Sequence, residues 1–347
     1  MIDFVNSWLA PKVFDSVILI HRRQALLRRN FAYAALASVL VSPLTVPNAF
    51  AQAEGPLRFV VPYAPGGSSD RAARIVADKL GAKLGQTVIV ENKTGAGGRL
   101  AAQQLKGLAA NQNVLMLANP ALVVVAPLVF KDAGYDPEKD FQPVSQISDY
   151  EFGLAVSTAV PVKELSHLLA WLRANPDKAN FGVPATGSLP HFFALMTSEK
   201  AKVNGQVVGY RGSAPLISDL IGGQLPVAFD TLDTLLPQSE GGKLRILATS
   251  GAKRSPFSKT VPTYKEAGLD LVATGWNALF APASMPREKV ERLGNAIRDV
   301  MLDPDTQQKF VDAKMTPVSS TSAQTTAMLK AYRAQWAPVV QKSGYQP

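Results

Sequence analysis

The stretch VVPYAPGGSSDRAARIVADKL, Val60 to Leu80, decides how this chain folds. A short apolar run ends in a Pro-Gly-Gly turn. An amphipathic pattern then begins at once, with Ala72, Ile75, Val76, Lys79 and Leu80 at helical spacing. The run predicts a buried strand over 57–64 and the pattern a helix over about 69–84. Ser68 or Ser69 is the expected N-cap, and Asp70 falls in the first turn, where negative charge suits the helix dipole. The first N–H groups of a helix have no intrahelical partner, and glycine lets a ligand approach the backbone closely. Such a turn is a seat for an anion. Taken alone, it is equally a plain strand–helix connection.

The same grammar repeats outward from it. TVIVEN runs into TGAGGRL (94–100) and a helix, and NVLMLAN is a third strand ending at Asn119. Alternating strands and helices predict an α/β fold with mostly parallel sheets. The pattern changes over 136–160, where one long extended run replaces the alternation. It then resumes: helix 163–174, strand 179–185, helix 189–202, strand 206–210, helix 213–222, strands 225–231 and 244–250, and helices near 286–302 and 322–342. The extended runs near 143–157 and 270–280 read as crossings between two lobes. The expected division is 52–152 with 274–347 for the first lobe and 153–273 for the second. Two lobes joined by two crossings make a cleft that can hinge.

Composition narrows the chemistry. The 347 residues are 47% hydrophobic and 18% charged, as in a globular protein. Cysteine is absent, which removes disulfides, thiolate nucleophiles and Cys-type zinc sites. Three histidines, His21, His167 and His191, are too few for a His-rich metal site. Net charge is +9, of which +3 falls in residues 1–51. The rest is spread without a Lys/Arg stripe, so a nucleic-acid partner is not expected; a mildly cationic cleft is.

The first 51 residues read as an export signal. Arg28 and Arg29 precede an apolar, Ala-rich run from Phe31 to Leu44, too short to span a membrane stably, and Ala49-Phe50-Ala51 places small residues where a signal peptidase cuts. The Arg pair fits a twin-arginine signal as well as the general route. Cleavage near Ala51 and a periplasmic mature chain are expected.

Four glycine turns follow strands and open helices. PGGSSD (65–70) and TGAGGRL come from the first lobe; PATGSLPHF (184–192) and YRGSAPL (210–216) come from the second. Two from each side would surround a small anion with N–H and O–H donors. Arg211 is either a helper or a solvated rim charge. Asp230, ending VAFD, is placed either to bind an ammonium group or to hold loops together. Trp276 either lines the cleft or packs at the crossing. Rival sites are poorly supported. TGAGGRL lacks the third glycine of a dinucleotide turn and the acidic residue about 20 positions on, so no cofactor is expected. There is no G-x-S-x-G elbow. Ser188 or Ser213 with His191 would make an exported hydrolase, but no strand-end acid is obviously placed to orient the histidine.

Read in order, VPYAPGGSSDRAAR, VENKTGAGGRLAAQ, YDPEKDFQPV, VGYRGSAPLISDLIGGQLPVAFDTL, KLRILATSGAKRSP and VPTYKEAGLDLVATGWNALFAP cover nearly all of the mature chain. Together they resemble the Bug receptors, the solute-binding proteins of tripartite tricarboxylate transporters. The resemblance implies a two-lobed class II periplasmic-binding-protein fold and a small organic carboxylate clamped between the lobes. It also implies membrane transporter subunits as partners, and a monomer. The positions it brings to the ligand are Tyr63, Gly66, Gly67, Ser68 and Asp70; Asn119; Thr186, Gly187, Ser188 and His191; Tyr210, Arg211, Gly212 and Ser213; and Asp230. The glycine-turn reading adds Gly97 and Gly98, and Trp276 joins them if it lines the cleft. Two departures stand out. ANQNVLM replaces the family's usual Pro-Asp-Gly-Tyr turn, and ANPALVVVAP replaces a loop usually rich in hydroxyls, which makes that side more apolar. A ligand sensor feeding a signalling system would look the same in sequence.

Overall fold

The computed structural model describes residues 55–346. The expected export signal lies outside them. Among the described residues, the first strands are β1 (Leu57–Val61), β2 (Val88–Asn92) and β3 (Val114–Ala118). β1 pairs in parallel with both others. The helix α1 (Ser68–Leu84) connects β1 to β2, and α2 (Arg99–Lys106) connects β2 to β3. α1 buries Ala72, Ala73, Val76, Ala77 and Leu80, one face at helical spacing. That face packs in a core with Leu57, Phe59 and Val61 of β1.

β4 (Phe141–Ser157) is 17 residues long and is the crossing that the sequence predicts. Residues 141–151 pair with β9 (Thr274–Pro282), which also pairs with β3. Residues 152–157 pair instead with β7 (Val227–Thr231) and β8 (Leu244–Thr249). β5 (Asn180–Val183) lies parallel to β7 and to β6 (Gln206–Gly209). The first half therefore runs β2-β1-β3-β9-β4 and the second β6-β5-β7-β4-β8, the same order twice, with one antiparallel visitor in each. This is the two-lobed class II periplasmic-binding-protein arrangement. The sheets are parallel among the outer strands and antiparallel wherever β4 or β9 takes part, because a strand that crosses between lobes must enter the second sheet reversed.

The second half carries helices α3 (Leu165–Ala174), α4 (Leu189–Ala201), α5 (Ser213–Ile221) and α6 (Leu232–Glu240). α7 (Arg287–Leu302), α8 (Pro304–Asp312), the short strand β10 (Thr316–Pro317) and α9 (Ser322–Lys342) follow β9. α6 and α8 are not expected from the sequence. α9 begins at a full capping box, Thr321 with Gln324.

One local expectation is overturned. The N-cap of α1 is Gly67, with no side-chain cap. Ser68 and Ser69 already belong to the helix, and their hydroxyls turn elsewhere: Ser69 to Asn277 Oδ1 at 2.7 Å, Ser68 to the Met315 sulfur at 3.5 Å. Asp70 takes over part of the capping task by accepting the Gly66 N–H at 2.9 Å.

Candidate functional site

The loops after β1, β2, β3, β5, β6 and β7 all leave the carboxyl ends of parallel strands, where open α/β sheets bind ligands. The first three form one group. The Tyr63 hydroxyl donates to Asn119 Oδ1 at 2.7 Å, tying the β1 loop to the β3 loop. Asn119 Oδ1 also accepts the Ala121 N–H at 3.1 Å, which starts the turn Ala121–Val125. Gly98 holds φ +94°, and a Cβ there would lie 3.0 Å from Pro62 Cβ, so the β2 loop touches the β1 loop only because the residue is glycine. Gly97 is also left-handed, at φ +67°. Gly66, at φ +83°, faces open space.

Asp70 braces this group. Its oxygens accept from Arg74 Nε and Nη2, each at 3.0 Å, from Asn92 Nδ2 at 2.8 Å and from the Gly66 amide. Burial pushes its pKa up, but these donors more than offset that, and the carboxyl is held below its ordinary range. With its acceptor positions engaged, Asp70 shapes the turn. The N–H groups at the head of α1 stay uncommitted within the helix, since the first intrahelical bond there is Arg71 N to Gly67 O at 3.0 Å.

The second-half loops form the other group. Thr186 packs against Gly209, joining the β5 and β6 loops. Gly212 N donates to Pro184 O at 2.8 Å and Tyr210 N to Val183 O at 2.9 Å. The Tyr210 hydroxyl donates to Asp219 at 2.9 Å, and Arg211 is exposed. His191 is 4% exposed. Its Nδ1 accepts the Gly187 N–H at 2.9 Å, so the ring's remaining proton sits on Nε2. Burial drives its pKa down to about 4. The Ser188 hydroxyl donates to Ala185 O at 2.7 Å and accepts the His191 N–H as the cap of α4. Tyr345 stands edge-on to His191 with ring centres 4.7 Å apart and lies 3.7 Å from where a Gly187 Cβ would be.

Asp230 is the penultimate residue of β7, at 1% exposure. Its Oδ1 accepts the Thr231 N–H at 2.8 Å, while the buried Oδ2 makes no hydrogen bond. Burial raises its pKa to about 7, against the lowering effect of the Ser213 hydroxyl. Trp276 is 2% exposed and packs T-shaped on Tyr332, with ring centres 5.7 Å apart. It sits in the core beside the crossing.

Two residues that the sequence reading misses join the groups. Arg71 of α1 donates through Nη1 to Gly66 O at 2.9 Å and through Nη2 to Asp233 of α6. The ion pair bridges the two halves, as does Lys314–Glu240 at 3.4 Å. Asp233 escapes notice because DTLDTLLPQSE does not stand out as a helix. Leu232, Leu235 and Leu236 at i, i+3 and i+4 after Thr231 are the available signal. Among the described residues, no group of His, Asp and Glu is arranged to hold a metal ion. A groove between α4 and α9 holds none of the predicted positions.

Comparison with known proteins agrees with this architecture. Residues 72–345 match the family described as the tripartite tricarboxylate transporter family receptor. A UPF0065 protein of Bordetella bronchiseptica is 32% identical over 94% of this chain and 98% of its own length. Rpa4515 of R. palustris, solved with adipate, superposes with a TM-score of 0.81 at 29% identity, covering 84% of this chain and 98% of that one. MatC (Rpa3494) from Rhodopseudomonas palustris, solved with bound malate, gives a TM-score of 0.77 at 27% identity, covering 82% and 98%. The chain therefore belongs to the tripartite tricarboxylate transporter receptor family.

Proposed function

We propose that this protein is an extracytoplasmic receptor that captures a small organic carboxylate between its two lobes and delivers it to the membrane subunits of a tripartite transporter. The observation that carries this reading is the pairing of glycine turns. Two in the first half (65–67 and 95–98) and two in the second (185–188 and 210–213) stand at the carboxyl ends of parallel strands, on either side of the crossings β4 and β9. Similar proteins solved with adipate and malate make a dicarboxylate the first class to try. The proposed contacts are the head of α1, the turn at Gly97–Gly98, Tyr63 and Asn119 on one side, with Thr186, Tyr210, Arg211, Ser213 and Asp230 on the other. The lobe boundaries follow β4 and β9, near 152/153 and 273/274. The export signal would be removed near Ala51, the mature chain would work in the periplasm, and it would act as a monomer.

The role is binding rather than catalysis. A Ser188–His191 dyad needs an imidazole nitrogen free to take the hydroxyl proton. Here Nδ1 is spent on the Gly187 amide, and the hydroxyl points at a carbonyl. Closing the lobes on ligand would shift the population toward the form that the membrane partner recognises. A thermal-melting screen of the mature protein against mono-, di- and tricarboxylates tests the proposal. A dose-dependent rise with at least one carboxylate is expected; no rise with any of them would overturn it.

A further inference from the structure

The anion seat at the head of α1 already faces a carboxylate, and it belongs to the protein itself. Arg71 stands one residue past SSD in the seat and reaches across to Asp233 at the start of α6. The Asp233 side chain is fully buried and that of Arg71 is one-third exposed. Even so, Asp233 Oδ1 is buried without a hydrogen bond, and so is Oδ2 of the neighbouring Asp230. Burial pushes both carboxyls above their ordinary range, and each feels Arg71 as a stabilising charge. One guanidinium thus pairs with a buried acid, Asp233, that has a second buried acid, Asp230, three residues before it in the chain, and each acid keeps one oxygen without a hydrogen bond. A pair built only for stability would not be expected to leave a buried carboxylate oxygen unpaired, since it carries a desolvation cost.

Arg71 has donors to spare. A guanidinium carries five N–H groups. One goes to Gly66 O and one to Asp233; every two-pronged grip on a carboxylate uses Nη2, the nitrogen bonded to Asp233, so a second carboxylate gripped that way meets Asp233 at the same nitrogen.

We propose that Arg71 is the residue that reads the distal carboxylate of a dicarboxylate ligand, and that Asp233 is an internal stand-in for that carboxylate, competing for Arg71 until ligand displaces it. The inference rests on the carboxylate-receptor reading and deepens it. The ligand's first carboxylate takes the backbone amides, and its second takes the guanidinium. Asp233 then serves two ends. It holds the halves together through Arg71 when no ligand is bound, and it screens out acids with one carboxylate, which cannot win the guanidinium.

Titration calorimetry on the mature protein tests this with adipate and malate against hexanoate, comparing wild type with Asp233→Asn, Arg71→Gln and Arg71→Lys. Asp233→Asn is expected to tighten dicarboxylate binding about tenfold or more and to change hexanoate binding less than about threefold, because it removes the competitor and keeps the shape. Arg71→Gln should lower dicarboxylate affinity to that of hexanoate, and Arg71→Lys should recover part of the loss. Melting curves without ligand establish that each variant folds; if Asp233→Asn does not, the two Arg71 variants decide alone. Equal weakening of all ligands by Asp233→Asn, or no loss of discrimination in Arg71→Gln, would overturn the assignment while leaving the receptor reading intact. Absence of carboxylate binding by wild type would overturn the receptor reading, and this inference with it.

Discussion

The Tyr63 hydroxyl and the Asn119 side chain meet at 2.7 Å, and through that one bond the loop after β1 holds the loop after β3. Asn119 Oδ1 is shared with the Ala121 N–H. Removing either partner should therefore have unequal effects. Tyr63→Phe leaves Asn119 still bonded to Ala121 and should cost about 1 kcal/mol of stability. Asn119→Ala strands both the tyrosine hydroxyl and the Ala121 amide and should cost about 2–3 kcal/mol. Urea unfolding at constant m-value checks the order; equal losses would contradict it.

Gly66 and Gly98 are both left-handed, but only Gly98 is crowded. Gly66→Ala adds a Cβ into open space and should cost only the conformational penalty, about 1 kcal/mol. Gly98→Ala adds the same penalty plus a 3.0 Å approach to Pro62, and should lose about 2–3 kcal/mol while displacing the second turn. Melting temperature and carboxylate affinity should both fall further in Gly98→Ala. Indistinguishable variants would show that the β1–β2 loop contact carries no weight.

Acidity at the crossing gives the protein a defined pH response. Glu151 lies on β4 with Oε2 buried and unpaired, while its Oε1 lies 2.7 Å from where a Gly251 Cβ would be. Burial raises its pKa from 4.5 to about 7. Between those values the folded state holds more protons than the unfolded, so this group adds stability at acid pH and loses it as pH rises through 7. Asp149, raised to about 6, and Asp230, raised to about 7, slope the same way. His191, lowered to about 4, opposes them, because its burial as a neutral ring costs stability as pH falls from 6.5 to 4. Three carboxyls against one imidazole predict a melting temperature that is higher at pH 5.5 than at pH 8. Glu151→Gln should raise the pH 8 value and flatten the difference.

The hydrolase alternative has a direct check. With His191 Nδ1 committed to the Gly187 amide, wild-type protein should turn over nitrophenyl esters no faster than buffer. Turnover that disappears in His191→Ala would restore Ser188 or Ser213 as a nucleophile.

Most of the fold can be read directly from the chain, for a physical reason. Strand, glycine turn and amphipathic helix alternate with little exception, and the one long run without alternation is β4 itself. The serine cap fails because the helix starts one residue earlier than its pattern suggests, which puts Ser68 inside the first turn. α6 is hidden because Thr231 is at once the last residue of a strand and the N-cap position of a helix, without a side-chain cap and with no loop between. In the site, the glycine turns, Tyr63 with Asn119, and Asp230 are visible as residue types at strand ends. The Gly187–His191 bond and the Arg71–Asp233 bridge are not. The first depends on which way a ring turns, and the second joins residues 162 positions apart.

The proposed function requires the two lobes to close on a small carboxylate. Native mass spectrometry of the protein taken gently from the periplasm, then repeated after denaturation, tests it most directly. An added mass matching an organic acid is expected, lost on unfolding and regained when the same acid is added back. A protein with no added mass that also gains none from any mono-, di- or tricarboxylate supplied to it would not be a carboxylate receptor.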